Sequence, residues 1–184
     1  MNYQTSLIEL SDKNDVRDKF LGALLDLMET KPYTEISIKE ICCVAGLSRR
    51  TFYNNFTQKN DLLDHLAEDL VLGFHVTDDY SGIHHIFAYW YELRNIVSLL
   101  IENNLWDSIS YKISKIYTPL LAERNWNNLL GNYVDNKDYF FSFIDAGISR
   151  LIYIWHADNF TKTPNELAGL VEQILDKTFL KKQS

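Results

Sequence analysis

A chain of 184 residues, 46% hydrophobic and 23% charged, holds enough apolar material for one compact fold, or for a small head joined to a larger body, and is not a disordered polymer. Its formal net charge of −7 excludes a protein that coats nucleic acid or membrane with its whole surface. The charge is uneven: residues 1–60 carry eight Lys/Arg and eight Asp/Glu, residues 61–184 carry ten and seventeen, and residues 39–59 set four cations (Lys39, Arg49, Arg50, Lys59) against Glu40 alone.

Along the chain, the opening "MNYQTSLIEL" lacks a basic start, a long apolar stretch and a small-residue cleavage site, so no secretory signal is expected and the expected place is the cytoplasm. No apolar run approaches the ~18–20 residues that would span a bilayer, so no membrane partner is expected either. Val16, Phe20, Leu24 and Leu27 make one stripe at helical spacing. That first helix should stop near Thr30, because Pro32 disfavours helix in the residue before it. Ser37 and Glu40 form a capping box for a short second helix holding Ile38, Ile41 and Val44, which Gly46 ends. Cys42 and Cys43 are neighbours, a spacing that rarely bridges on a helix. They agree with a reducing compartment, and Cys42 reads as a small buried apolar residue.

Ser48 is placed to cap a third helix through about Phe56, and Thr57 a fourth whose buried side is Leu62, Leu63, Leu66, Leu70 and Phe74. "TDDYSG" (77–82) reads as a break. Helices follow near 83–104, 105–115, 118–130, 138–158 and 164–179, the last opened by Thr163 as cap, Pro164 in the first turn and Glu166 closing the box. The predicted fold is all-α, about nine helices: a three-helix head over 1–60 with helix-turn-helix spacing at "AGLS", and a helical body over 61–184.

The segment "GLSRRTFYNNFTQK" (46–59) carries the chemistry. On a helix at about 100° per residue, Phe52 and Phe56 fall on one side, and Arg50 and Asn54 on the other. Thr51 and Tyr53 flank them, and Arg49 lies in the first turn. One face can bury two rings. The other offers a guanidinium, an amide, a hydroxyl and a phenol, the groups that read guanine and adenine edges in a major groove. Lys59 and Ser37, at the starts of the fourth and second helices, could clamp phosphates on either side.

The stretch "ISIKEICCVAGLSRRTFYNNFTQKNDLL" (36–63) resembles the DNA-binding head of the TetR/AcrR family of transcriptional regulators. The match runs through Ser37, Ile41, Ala45, Gly46, Leu47, Ser48, Thr51, Phe52, Tyr53, Phe56, Lys59 and Leu62. Arg50 and Asn55 stand where the family often has Gly and His, at positions that contact DNA, so an operator sequence does not carry over. The "SRRTFYNNF" variant resembles a branch of the family found in low-GC Gram-positive bacteria, some of whose members resemble regulators of dihydroxyacetone kinase operons.

The resemblance implies a homodimer on double-stranded DNA at a near-palindromic operator, with Ser37, Ser48, Arg49, Arg50, Thr51, Tyr53, Asn54, Asn55 and Lys59 as the DNA face. It implies a repressor released by an effector or, as an alternative, an activator working with a partner protein and no small ligand. It also implies a dimer interface from the two last helices, which fits the stripe Phe140, Ile144, Gly147, Ile148, Leu151 and Trp155. Tyr89, Trp90, Trp106, Tyr111 and Trp126, with Tyr91 and Tyr117, have two uses open to them: lining a pocket for a small apolar or aromatic effector, or core.

His84 and His85 are adjacent and point about 100° apart, while His65 and His75 are isolated, so no metal and no cofactor are expected. No catalytic Ser/His/Asp set, paired carboxylates, Gly-rich phosphate loop or HExxH motif appears. An enzyme is not expected, and an all-α enzyme or lipid carrier with an incidental helix-turn-helix is the distant alternative.

Overall fold

The computed structural model describes residues 15–75, 83–122 and 137–175, and they form nine α-helices and one 3-10 turn with no strand. The expected break at 77–82 and residues 123–130 of an expected helix lie outside the described residues. No described helix is long and apolar enough to cross a membrane.

The head follows its capping signals. Helix α1 (Val16–Met28) starts at Asp15, whose side chain accepts from the Arg17 N–H at 2.9 Å. A 3-10 turn (Tyr33–Glu35) follows Pro32. Helix α2 (Ile38–Ala45) opens on the expected capping box: Ser37 Oγ accepts from the Glu40 N–H, and Glu40 accepts from the Ser37 N–H at 2.9 Å. Gly46 ends it at φ +66°, a left-handed conformation that a Cβ would strain. Helix α3 (Arg49–Asn55) is capped by Ser48 through the Thr51 N–H at 3.0 Å. Val44, placed by its spacing on the apolar side of α2, is 49% exposed.

The fourth helix departs from expectation. Thr57 does not begin it: α4 (Asp61–His75) starts four residues later, and the Asp61 carboxylate reaches back to accept from the Thr57 and Gln58 N–H groups at 2.7 and 3.1 Å. The expected helix over 83–104 is two, α5 (Ile83–Glu92) and α6 (Arg94–Glu102), separated at Leu93, whose backbone (φ −91°, ψ 13°) leaves the helical region while its side chain stays buried. Helix α7 (Trp106–Ala122) runs through the expected break near 115–118. Pro119 withholds one N–H from the ladder of that helix. Helix α8 (Lys137–Ala157) is followed by α9 (Pro164–Leu175), with the Thr163–Glu166 capping box in place.

Helix α1 packs on α2 and α4, and α2 packs on α3. Helix α4 then lies along α7, α7 along α8, and α5 against α6 and α9. One hydrophobic cluster runs without interruption from Phe20, Phe52 and Phe56 in the head, through Leu62, Leu63 and Leu66 of α4, to Trp106, Ile109 and Trp155 in the body. The head therefore stands on α4 as on a shared beam, with no flexible linker between them.

Candidate nucleic-acid interface

Helix α3 is short, and its pose is set by aromatic packing. Phe52 is completely buried and Phe56 nearly so. The Phe20 ring of α1 meets Phe52 edge-on at 5.2 Å and Phe56 at 6.2 Å. Arg17 places its guanidinium 5.3 Å from the Phe56 ring centre, closing the far side. With one side of the helix so committed, the opposite side faces solvent: Arg49, Arg50, Asn54 and Asn55 are exposed, and Tyr53 is 50% exposed.

Several expected contact residues have first duties within the chain. Ser48 Oγ caps α3 and lies 2.8 Å from Thr51 Oγ1. Asn55 folds its amide back to donate to the Thr51 carbonyl at 2.8 Å. Ser37 is engaged with Glu40. Lys31 donates to the same Glu40 carboxylate at 2.8 Å, and Lys31 and then Ser37 hold that carboxyl down at about 2. Arg49, Arg50, Tyr53 and Asn54 are all exposed.

Lys59 takes a place that its sequence position did not suggest. Its Nζ donates to the Tyr33 and Ile36 carbonyls at 2.6 and 2.7 Å, and sits 4.0 Å from the centre of the Tyr33 ring. Burial, with the charge of Lys31 adding, pulls its pKa below the ordinary lysine value. The same 3-10 turn is held from the body, where Asn103 accepts from the Tyr33 N–H at 2.7 Å. Both anchors bear on the turn that delivers the chain to Ser37 and α2.

The aromatic residues expected at a pocket are dispersed. Tyr89 donates to the Leu70 carbonyl at 2.6 Å, and burial pushes its phenol far above the ordinary range. Trp90 packs edge-on between Tyr89 and Trp106. Trp106 is 3% exposed, Tyr111 is 60% exposed, and Trp126 lies outside the described residues. Trp106 and Tyr111 do line a cleft of about 460 Å³ between α7 and α8, but its other walls are Asp107, Ser110, Ser114, Ser142, Asp145, Ala146, Ser149, Arg150 and Tyr153. That lining is rich in hydroxyl groups. Burial raises the Asp145 carboxyl above its usual range, partly offset by a hydrogen bond from Ser114.

On α8 the stripe divides. Trp155 is 3% exposed and belongs to the chain's own core: it stacks on Tyr91 at 5.5 Å and donates from Nε1 to the Lys162 carbonyl at 3.0 Å. Phe140, Ile144, Ile148 and Leu151 are half-buried, and Gly147 is exposed. The more exposed apolar side chains of α8 lie one step round, at Tyr139, Phe143 and Ile154, and α9 exposes Leu170 and Ile174.

A third group escaped the sequence reading. His65, isolated in sequence, is buried between α1 and α4 with Asp18, Glu68 and Asp69 around it. Burial, partly countered by His65, pushes the Asp69 carboxyl up to about 6. The spacing of His65 and Asp69, four apart on α4, was legible. The approach of Asp18 from α1 was not.

Comparison with known proteins bears on both halves. Residues 20–66 match the family model described as bacterial regulatory proteins, tetR family, and residues 78–177 match a transcriptional regulator C-terminal region of the same group. The HTH-type dhaKLM operon transcriptional activator DhaS of Lactococcus lactis subsp. lactis is 28% identical over 128 residues, 68% of this chain and 65% of that protein. The HTH-type transcriptional regulator AlkX of Mycobacterium tuberculosis is 34% identical over 68 residues, 35% of this chain and 32% of its own length. The chain thus spans less than two thirds of either relative.

Proposed function

Because the chain belongs to the TetR family of bacterial regulatory proteins, DNA-binding regulators of transcription, we propose that it represses its targets as a homodimer on a near-palindromic operator and is released by an effector. The observation that carries the DNA contact is the division of α3: Phe52 and Phe56 are held by Phe20, while Arg49, Arg50, Tyr53 and Asn54 are exposed. An α-helix fits the major groove, and Arg50 and Asn54 are the residues placed to read base edges. Ser37, Ser48, Thr51 and Asn55 line the backbone side, where hydroxyl and amide groups meet phosphate oxygens. Lys59 serves this surface from beneath, by fixing the turn that leads into α2.

The exposed apolar side chains of α8 (Tyr139, Phe143, Ile154) and of α9 (Leu170, Ile174), with the half-buried Phe140, Ile144, Ile148 and Leu151, support self-association through those helices. Gly147 of α8 has open space at its Cα, so a partner backbone can come close. The α7–α8 cleft supports an effector richer in hydroxyl groups than the apolar one its aromatic residues first suggested. A second reading, an activator working with a partner protein, is favoured by the name of the Lactococcus relative, an activator.

The test is a footprint and gel shift on the DNA flanking the gene, coupled to a reporter. Two protected half-sites and derepression on deletion are expected. Protection without symmetry refutes the dimeric arrangement, and loss of transcription on deletion selects the activator.

A further inference from the structure

The contact between α1 and α4 contains a cluster of donors that the DNA surface does not use. Asp18 comes from α1, while His65 and Asp69 share one face of α4 at positions i and i+4. His65 Nε2 lies 2.9 Å from Asp18 Oδ1 and 3.7 Å from Asp69 Oδ2, and the three donor atoms fall within 4.8 Å of one another. The three side chains are only 9%, 12% and 20% exposed.

A second observation concerns the imidazole itself. It is more than nine-tenths buried and aims Nε2 between the two carboxylates, yet its Nδ1 has no hydrogen-bond partner; the nearest carboxylate oxygen there, Glu68 Oε2, is 3.9 Å away. Carboxyl groups also outnumber cationic ones here. Asp18, Glu68 and Asp69 surround the site against the one guanidinium of Arg17, whose Nε is likewise buried without a partner.

We infer that Asp18, His65 and Asp69 form a binding site for a divalent first-row transition ion. Ligand atoms at about 2.0–2.2 Å from such an ion stand about 3–3.5 Å from each other. The two His65–carboxylate separations, 2.9 and 3.7 Å, bracket that, and the Asp18 and Asp69 oxygens, within 4.8 Å of each other, close on the ion by side-chain rotation. One imidazole nitrogen with carboxylate oxygens suits Zn²⁺, Co²⁺ or Ni²⁺ over Mg²⁺ or Ca²⁺. On binding, Nε2 becomes the ligand and the imidazole keeps one proton, now on Nδ1. That proton faces Glu68, whose Oε2 at 3.9 Å must swing closer by about 1 Å to accept it and make a carboxylate–histidine–metal arrangement. The ion ties α1, whose Phe20 positions α3, to α4. This consequence rests on the DNA-binding reading above, while the site itself does not.

The experiment titrates the full-length chain with ZnCl₂ by calorimetry and with CoCl₂ by visible absorption, in a non-chelating buffer. One ion per chain and a rise in melting temperature are expected. Asp18→Asn and Asp69→Asn should each weaken binding at least ~10-fold with unchanged circular dichroism, and Glu68→Gln, which alters only a positioning residue, by about 10–100-fold. Cys43→Ser should leave binding unchanged, which separates this site from thiol capture. Absence of binding, or binding that survives both Asp substitutions, overturns the inference. Gel shifts with and without EDTA keep the two readings apart: a chain that shifts DNA and takes up no ion refutes only the metal site, and one that takes up the ion and shifts no DNA refutes only the regulator.

Discussion

Replacing Lys59 with Met keeps the aliphatic stem and removes the ammonium. Two charge-assisted hydrogen bonds, to the Tyr33 and Ile36 carbonyls, are lost together with the cation–π contact on Tyr33. Each such hydrogen bond contributes about 1.5–3 kcal/mol and the ring contact about 0.5–2 kcal/mol. Lys59 is half-buried, so water takes over part of the carbonyls' needs, and the net loss should be about 2–3 kcal/mol. Urea denaturation reads this as a midpoint lowered by roughly 1 M or more at an unchanged m-value. A salt titration of operator binding reads the other half. A direct phosphate contact contributes about 0.9 to the slope of log K against log salt. The anchoring role requires the slope to stay as it is, measured where the variant is still folded. A Lys59→Met chain of full stability whose slope falls by about one would make Lys59 a phosphate ligand and refute the argument from its two carbonyl partners.

Arg50→Ala should weaken the natural operator by about 1–3 kcal/mol and barely affect random DNA, as competition gel shifts would show. Phe52→Ala should cost about 3–5 kcal/mol of unfolding free energy and release α3, since the ring is fully enclosed beside Phe20 and Phe56; a cost below about 1 kcal/mol would mean that α3 is held by something else. Ile154→Arg should shift the chain from dimer to monomer in sedimentation, with little change in helicity. His84 joins α5 to α9 through Asn165 at 3.0 Å and Glu172 at 3.3 Å, and these two partners raise its pKa above the ordinary value. A raised histidine stabilises the fold fully below about pH 6.5 and loses that contribution as pH rises through the folded-state value. The stability difference between the natural chain and His84→Gln should therefore shrink as the pH is raised above about 6.5, and a gap that widens would reverse the assignment.

The helix caps were legible because their signals are local. Ser37 with Glu40, Gly46, Ser48, and Thr163 with Glu166 satisfy backbone groups within one turn of themselves, so spacing alone determined where α2, α3 and α9 begin and where α2 ends. The opposed faces of α3 follow in the same way from 3.6 residues per turn, and they already identified the side that turns outward. What the sequence left open depends on neighbours distant in the chain. Only the approach of the Tyr33 turn makes Lys59 an anchor, and only α1 carries Asp18 to His65, 47 residues away. The break at Leu93 and the late start of α4 at Asp61 are settled by how packed helices meet and by a carboxylate reaching back, not by propensity. Trp155 has the spacing of a surface stripe, yet it lies in the core because Phe87 and Tyr91 of α5 and Phe160 of the turn after α8 close over it. Periodicity names the face of a helix, and only packing decides what that face meets.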